Sequence, residues 1–288
     1  MQLDLATVLV QWAAGGLLFC WVTTRRREVG LGYGWLLRAV FGALAVFGLA
    51  AGVGDGGAGA TVRGAGAAAM AVLAAAALGT SIARRGAGVR GQRERRAARA
   101  RRVRAMVGRH AADGAPDDAA TDTAREFDPR VDLAAALAGL VAVAGAASFV
   151  GGGYALSAYR LAAGALFLGA VTDAMLLGHW YLVQPGLDRA PIRQLVKVTA
   201  VLWPLEVAAY LVPRGMIGVL DGSIDDGYGG LIGWMWVVAV LTTIVLLGVT
   251  WLALKERYYS AVMAATGLLY LAILTGFGID LLPRAVLA

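Results

Sequence analysis

Residues 229–253 read GGLIGWMWVVAVLTTIVLLGVTWLA, without one charged side chain. A helix rises about 1.5 Å per residue, so this stretch exceeds the roughly 30 Å hydrocarbon core of a bilayer. Trp234 and Trp236 near its start, and Trp251 with Tyr258 and Tyr259 near its end, sit where amphipathic rings anchor a span at both interfaces. A soluble core would scatter such apolar residues among polar ones. Here they form one block, and the block reads as a transmembrane helix.

Seven further blocks of similar character flank it: 4–23, 31–52, 65–83, 132–152, 156–183, 197–213 and 258–281. The fold class that follows is an all-α polytopic integral membrane protein with eight transmembrane helices. Residues 1–83 hold helices one to three and 132–288 hold helices four to eight. Residues 84–131 form one long loop between them. Composition agrees: the 288 residues are 59% hydrophobic and only 16% charged, and the mean hydropathy is +0.68. Soluble domains run near 45–50% apolar and about 25% charged, so the composition argues against a soluble globular domain. The third and fourth blocks are mostly alanine and glycine. Ala134, Ala138, Ala142 and Ala146 recur at four-residue spacing, which lets helix backbones approach closely and predicts that both helices are buried in the bundle.

The net charge is +7, yet it is concentrated. Eleven arginines and one acid, Glu94, lie between Arg84 and Arg109. The remainder of the chain is therefore acidic on balance, which argues against nucleic acid as a partner. Arg25 to Arg27, the 84–109 cluster, Arg189 with Arg193 and Lys197, and Lys255 with Arg257 fall in alternate loops. By the positive-inside rule these loops are cytoplasmic and both termini lie outside. Asp4 precedes the first block and three arginines follow it, the reverse of a cleavable signal, so the first block reads as a retained span. These features predict a multi-pass protein of a bacterial or archaeal inner (cell) membrane, with the bilayer as its first partner. In the long loop, Arg93, Arg96, Arg99 and Arg102 are candidates for docking anionic lipids or other membrane subunits. From Asp113 to Asp128 the loop turns acidic, a composition that favours disorder.

A short echo links the two ends of the chain. Leu17-Leu18-Phe19-Cys20-Trp21 closes the first block and Leu176-Leu177-Gly178-His179-Trp180 approaches the close of the fifth. Two tandem halves of four helices would explain it.

Polar groups inside the spans are costly, on the order of 2.5–3.5 kcal/mol at the bilayer centre, and so are the first functional candidates. Asp173 in the fifth block and Glu206 in the sixth each lie about 15 Å deep by helical rise. The two blocks are consecutive and antiparallel, which predicts that the carboxyls face each other as a midplane pair; two carboxyls in one dry site cannot both ionise cheaply. Thr199, Trp203, Glu206, Tyr210 and Pro213 share one stripe, and Pro204 removes a backbone donor beside the glutamate. That pattern resembles a cavity lining. His179 lies nearer the cytoplasmic end, with Thr172 on its face and Asp173 some 120° away. Arg160 and Arg38 have reach enough to snorkel to the headgroups, and Gln11 and Asp280 are second-rank polar positions.

Several motifs fail on context. Gly52 to Gly57 matches G-x-G-x-x-G but follows a transmembrane block with no strand before it. Asp221 to Gly227 imitates a calcium loop with its glycine one place late and Ile232 where the bidentate acid belongs. The lone cysteine, Cys20, excludes a disulfide or cysteine metal site within the chain. No metal site or cofactor is predicted; with His179 as the one transmembrane histidine, a bis-histidine haem is not expected. No catalytic constellation is present, which leans away from an enzyme. Two functional readings remain. One is proton-coupled transport, or proton or ion handling, through Asp173 and Glu206, with His179, Tyr210, Thr199 and Thr172 as cavity groups. The other is a non-catalytic subunit or scaffold of a larger membrane complex, a respiratory one for example.

Overall fold

Leucine and alanine dominate residues 154–183 and no proline interrupts them, so the chain sustains one helix of 30 residues there. In the computed structural model, which describes residues 3–26, 28–85, 127–184, 187–256 and 258–287, that helix lies at the centre of the molecule. The helices are α1 (Leu5–Thr24), α2 (Leu31–Ala51), α3 (Ala58–Ala83), α4 (Arg130–Ala147), α5 (Tyr154–Val183), α6 (Ala190–Leu211), α7 (Gly215–Leu220), α8 (Leu231–Ala253) and α9 (Tyr259–Val286). Among the described residues no strand occurs, and eight of these helices are long and apolar enough to cross a membrane. The arginine-rich positions Arg93, Arg96, Arg99 and Arg102 lie outside the described residues.

The long helices arrange themselves as two rings. α1 packs on α2, α2 on α3, α3 on α4, and α4 returns to α1. In the same way α5 packs on α6, α6 on α8, α8 on α9, and α9 returns to α5. The rings meet where α1 runs beside α5. Glycine makes this crossing close: a Cβ on Gly169 would stand 2.7 Å from the Gly15 Cα, and one on Gly15 would overlap the Ala165 carbonyl. α5 is the most buried span, with 83% of its most apolar window inside the protein. The exposed apolar residues of the other helices, such as Val238, Leu241, Leu271 and Leu274, form the outer surface that a bilayer would cover.

The small residues of α3 and α4 give the close backbone approach expected of their spacing, without the central burial expected with it. They bring these two helices against each other: a Cβ on Gly66 would lie 2.8 Å from the Ala142 Cα, and one on Gly145 would lie 2.6 Å from the Arg63 amide. The pair stays at the periphery, exposing Val62, Val72, Leu137 and Val141. Alanine and glycine here fix an interhelical distance and do not mark central burial.

Three spans run further than their apolar blocks. α3 begins at Ala58 and not at 65, α6 at Ala190 and not at 197, and α9 continues past 281 to Val286. Each extension carries charge that the apolar blocks stopped short of: Arg63, Arg193 and Arg284. Helical backbone groups satisfy one another, so a helix continues past a charged residue wherever that residue finds a partner. The six-residue α7 was not visible in the pattern of apolar blocks.

Candidate functional site

Arg284 explains why α9 continues. Its guanidinium is fully buried, donating from Nη2 to Asp280 Oδ1 at 2.7 Å one helical turn earlier. The Nε–H reaches the Tyr210 hydroxyl of α6 at 3.2 Å, and Nη2 also donates to Gln11 Oε1 of α1. The Tyr210 hydroxyl in turn donates to Asp280 Oδ1 at 2.8 Å, and Gln11 Nε2 donates to the same oxygen at 3.3 Å. α5 contributes open space: a Cβ on Gly164 would meet both Gln11 and Asp280, at 2.6 Å from Asp280 Oδ1. Four helices from both rings thus converge on one carboxyl oxygen.

Glu206 adjoins this cluster. Asp280 and Arg284 are the charged groups that act on it, and it lies close enough to Asp280 for one hydrogen bond when either acid holds a proton. As two carboxylates they have no donor to offer each other. Both oxygens of Glu206, Oδ2 of Asp280 and Nη1 of Arg284 are buried without a hydrogen-bond partner. A dry charge without a partner is among the most costly arrangements a protein keeps, and the neutral, protonated acid relieves it.

Arg160 lies one helical turn from Gly164 on α5 and completes the charge of the region. It is buried and does not snorkel. Its Nε donates to the Ala209 carbonyl and its Nη2 to the Val212 carbonyl, both at 2.9 Å. Pro213 has no N–H with which to close the helical bond to Ala209, so the guanidinium serves the carbonyls that proline leaves open.

Asp173 stands elsewhere. Its two oxygens are buried and without partners. Its charge acts on Cys20 of α1 and on Tyr33 of α2, whose hydroxyl donates to the Asp173 backbone carbonyl at 3.2 Å. Gly164, level with Asp280, precedes Asp173 by nine residues, or about 13 Å along α5. The structure therefore does not bring Asp173 and Glu206 together; Asp280 takes the place beside Glu206 that Asp173 was expected to fill. The reason is both axial and rotational, since α6 begins at Ala190 and carries Glu206 sixteen residues from its start. Glu206 turns toward α9, whereas Asp173 turns toward α1 and α2 of the other ring.

The remaining candidates divide. Tyr210 belongs to the cluster. Thr199 is buried on the same face of α6 as Glu206 but spends its hydroxyl on the Leu195 carbonyl. Thr172 accepts from the Trp12 indole at 2.9 Å. His179 faces outward on α5, edge-on to Tyr270 of α9 with ring centroids 6.5 Å apart, and does not point toward Asp173. Trp236, read as an interfacial anchor, is instead buried, its indole donating to the Ile279 carbonyl at 3.1 Å, while Trp234 stays exposed. Gln11 and Asp280, second-rank in the sequence, are central. Arg284 escaped the sequence reading because it stands beyond the apolar block; a helical spacing of four from Asp280 was the signal that could have found it.

In the first ring the buried charges are closed pairs. Arg38 binds Asp132 through two hydrogen bonds of 2.7 and 2.6 Å, with Thr24 adding a third donor. Arg38 therefore does not snorkel either. Arg63 binds both Asp4 and Asp55 at the opposite end. The calcium-like loop likewise uses its acid on backbone: Asp226 accepts the amides of Tyr228, Gly230 and Ile232. Among the described residues no three His, Cys, Asp or Glu side chains gather as a metal site would require. No family model, curated protein or solved structure matches the chain.

Proposed function

We propose that the protein handles protons within the membrane, as a proton-coupled transporter or proton-conducting protein, through the carboxyl pair Glu206–Asp280. The observation that carries this reading is Glu206, an acid inside a span with both oxygens unpartnered beside a second acid whose outer oxygen is also unpartnered. An acid that served packing alone would be expected to have its oxygens filled, as those of Asp132 are. An acid that binds and releases a proton needs a place where both states are tolerable, and a neighbouring carboxyl with an arginine behind it supplies one. Asp173, isolated and nearer the opposite face, is a second station for the same species.

The proposed setting is a cell membrane of bacterial or archaeal type, with both termini outside and the arginine-rich loops, including Arg93 to Arg102, on the cytoplasmic side against anionic lipid. The proposed architecture is a tandem pair of four-helix halves. Adding 159 to Thr24, the end of α1, gives Val183, the end of α5; adding it to Leu31, the start of α2, gives Ala190, the start of α6. The ring-wise packing of each half supports the same idea.

The test is proton movement in proteoliposomes carrying a pH-sensitive dye. Wild-type protein is expected to dissipate an imposed pH gradient, and Glu206→Gln to slow this by at least tenfold while the protein still purifies as a monodisperse species. Equal rates in wild type, Glu206→Gln and protein-free vesicles would overturn the proposal. A second reading, a membrane subunit of a larger complex, is favoured by one observation: the outward-facing His179 with Tyr270 places a polar pair on the surface where lipid or a partner helix packs. Stable co-purification of a defined partner in mild detergent, lost in His179→Leu, would favour it.

A further inference from the structure

We infer that Gln11 is a latch between α1 and α9, closed while Glu206 of the Glu206–Asp280 pair holds a proton and released when that proton is lost. This inference rests on the proton-handling reading above and adds how binding at the pair is converted into movement.

Three observations carry it. First, the backbones of α1 and α9 barely approach each other, although both pack on α5. What joins them is side chains alone: Gln11 with Asp280 and Arg284, and one residue on, Trp12 edge-on to Phe277 with centroids 4.7 Å apart. A seam closed only by side chains opens more readily than one of interlocked backbones. Second, α1 is pinned one turn away on the same face. Gly15 and Gly169 bring α1 and α5 into backbone contact a turn below Gln11. α1 therefore has a fulcrum beside its latch. Third, Gln11 uses both ends of its amide in the same cluster. Its oxygen accepts from Arg284 and its nitrogen donates to Asp280 Oδ1. No other side chain of the first ring is hydrogen-bonded into that cluster among the described residues.

The chemistry follows from the shared oxygen. Asp280 Oδ1 receives Tyr210, Arg284 and Gln11, while Oδ2 has no hydrogen-bond partner. When Glu206 holds a proton, its O–H donates to the Asp280 carboxylate beside it, and Oδ1 keeps all three donors. When Glu206 releases that proton, two carboxylates face one guanidinium, and Arg284 is drawn toward Glu206 and away from Gln11. Gln11 Oε1 loses its donor in that step, and the seam between α1 and α9 is released. The groups facing Asp280 are Glu206 and Tyr210 from α6, Arg284 from α9, Gln11 from α1 and, a turn further along α5, Arg160. α8 offers Trp236, which is spent on the Ile279 carbonyl.

The test measures the seam directly. Spin labels at Leu5→Cys on α1 and Ala285→Cys on α9, both exposed positions, report the seam width in nanodiscs in a Cys20→Ala background. In otherwise wild-type protein the distance distribution is expected to change from one narrow population to a longer one across a pH titration. Gln11→Leu is expected to give the longer population at every pH. Glu206→Gln, which carries no titrating proton of its own, is expected to hold the narrow one over the range where the wild type changes. Gln11→Glu keeps a partner for Arg284 and adds a carboxylate beside the pair; the transition should move to higher pH by on the order of one unit. A Gln11→Leu titration that matches wild type would overturn the latch, as would a seam of constant width in wild type. The distance readout does not depend on flux, so failure of the liposome assay with a titrating seam would sink the transport reading and leave the latch standing.

Discussion

The two rings dispose of their buried charges in opposite ways. In the first, Arg38 and Asp132 meet through two short hydrogen bonds with a threonine in support, and Arg63 is shared by two aspartates. Both of these cations have a full anionic partner outside their own helix. In the second, Arg284 serves one aspartate, a tyrosine and a glutamine, while both oxygens of Glu206, one oxygen of Asp280 and one edge of the guanidinium stay unfilled. Equal architecture therefore carries unequal electrostatics. The first ring is built to hold its shape, and the second retains groups whose protonation state has somewhere to go. An intramembrane charge points to function only after its partners have been counted.

The sharpest way to break this comparison is in the first ring. Removing one member of a buried pair strands the other, which costs on the order of 3–5 kcal/mol. Arg38→Met alone, or Asp132→Leu alone, should lower the unfolding temperature in detergent by more than Glu206→Gln or Asp173→Asn, whose acids have no partner to strand. Arg38→Met with Asp132→Leu should recover most of the loss, because two apolar side chains of similar size need no partners, and proton flux should be that of the wild type. If either single change were silent, the first ring's charges would not be the structural clamps that their geometry makes them.

The next effect lies within the second ring. Glu206→Gln and Asp280→Asn touch one shared proton, so their stabilities should fail to add, with a coupling of about 0.5–3 kcal/mol in a double-mutant cycle. By itself Glu206→Gln should leave the unfolding temperature unchanged or raise it, since a neutral amide replaces an unpartnered acid. Asp173 supplies the contrast. It stands about 13 Å along α5 from the cluster, so Asp173→Asn and Glu206→Gln should add to within about 0.5 kcal/mol. A large Asp173–Glu206 coupling would restore the pair that the sequence led one to expect.

That misplaced pairing shows where sequence reasoning reaches its limit. Eight apolar spans, their order and the candidacy of Glu206 and Tyr210 followed from apolar blocks and from a stripe at three- and four-residue steps on α6. The partner of Glu206 did not. Depth along a helix follows from residue counts only once its start is known: counted from its apolar block Glu206 matched Asp173, but α6 begins seven residues earlier, at Ala190. Rotation about the axis relative to a neighbour has no such local source, because it depends on which helices flank the one in question. α6 turns its acid to α9, the last helix of the chain. Arg284 was hidden for a related reason. A charged residue after an apolar block looks like the end of a span until its partners, Asp280 on its own helix and Gln11 on the first, are known. The same blindness moved the starts of α3 and α6, at Arg63 and at Arg193. Ring closure, a matter of contacts distant in sequence, left no local trace beyond the leucine-rich echo around Trp21 and Trp180.

The smallest expected effect concerns a carboxylate of the second ring outside the span. Asp226, in the turn before α8, accepts the amides of Gly230, Tyr228 and Ile232, and these hydrogen bonds hold its acid below the ordinary aspartate range. The folded form thus prefers the ionised state more than the unfolded chain does. Its contribution is present above the unfolded value of about 3.9 and is lost as pH falls through the lower folded value. Amide hydrogen exchange at Tyr228, Gly230 and Ile232 should therefore stay protected at neutral pH and lose protection, relative to the midspan amides of α8, only in acid. Asp226→Asn should show reduced protection at those three amides at every pH, with flux and seam width unchanged. Such an outcome would show that the second ring's chain readily supplies donors to a carboxylate where structure alone is at stake, so that leaving Glu206 without them is specific to the membrane interior. Loss of flux in Asp226→Asn would instead extend the functional site to the outer turn and remove the contrast between satisfied and unsatisfied acids on which the division of the two rings depends.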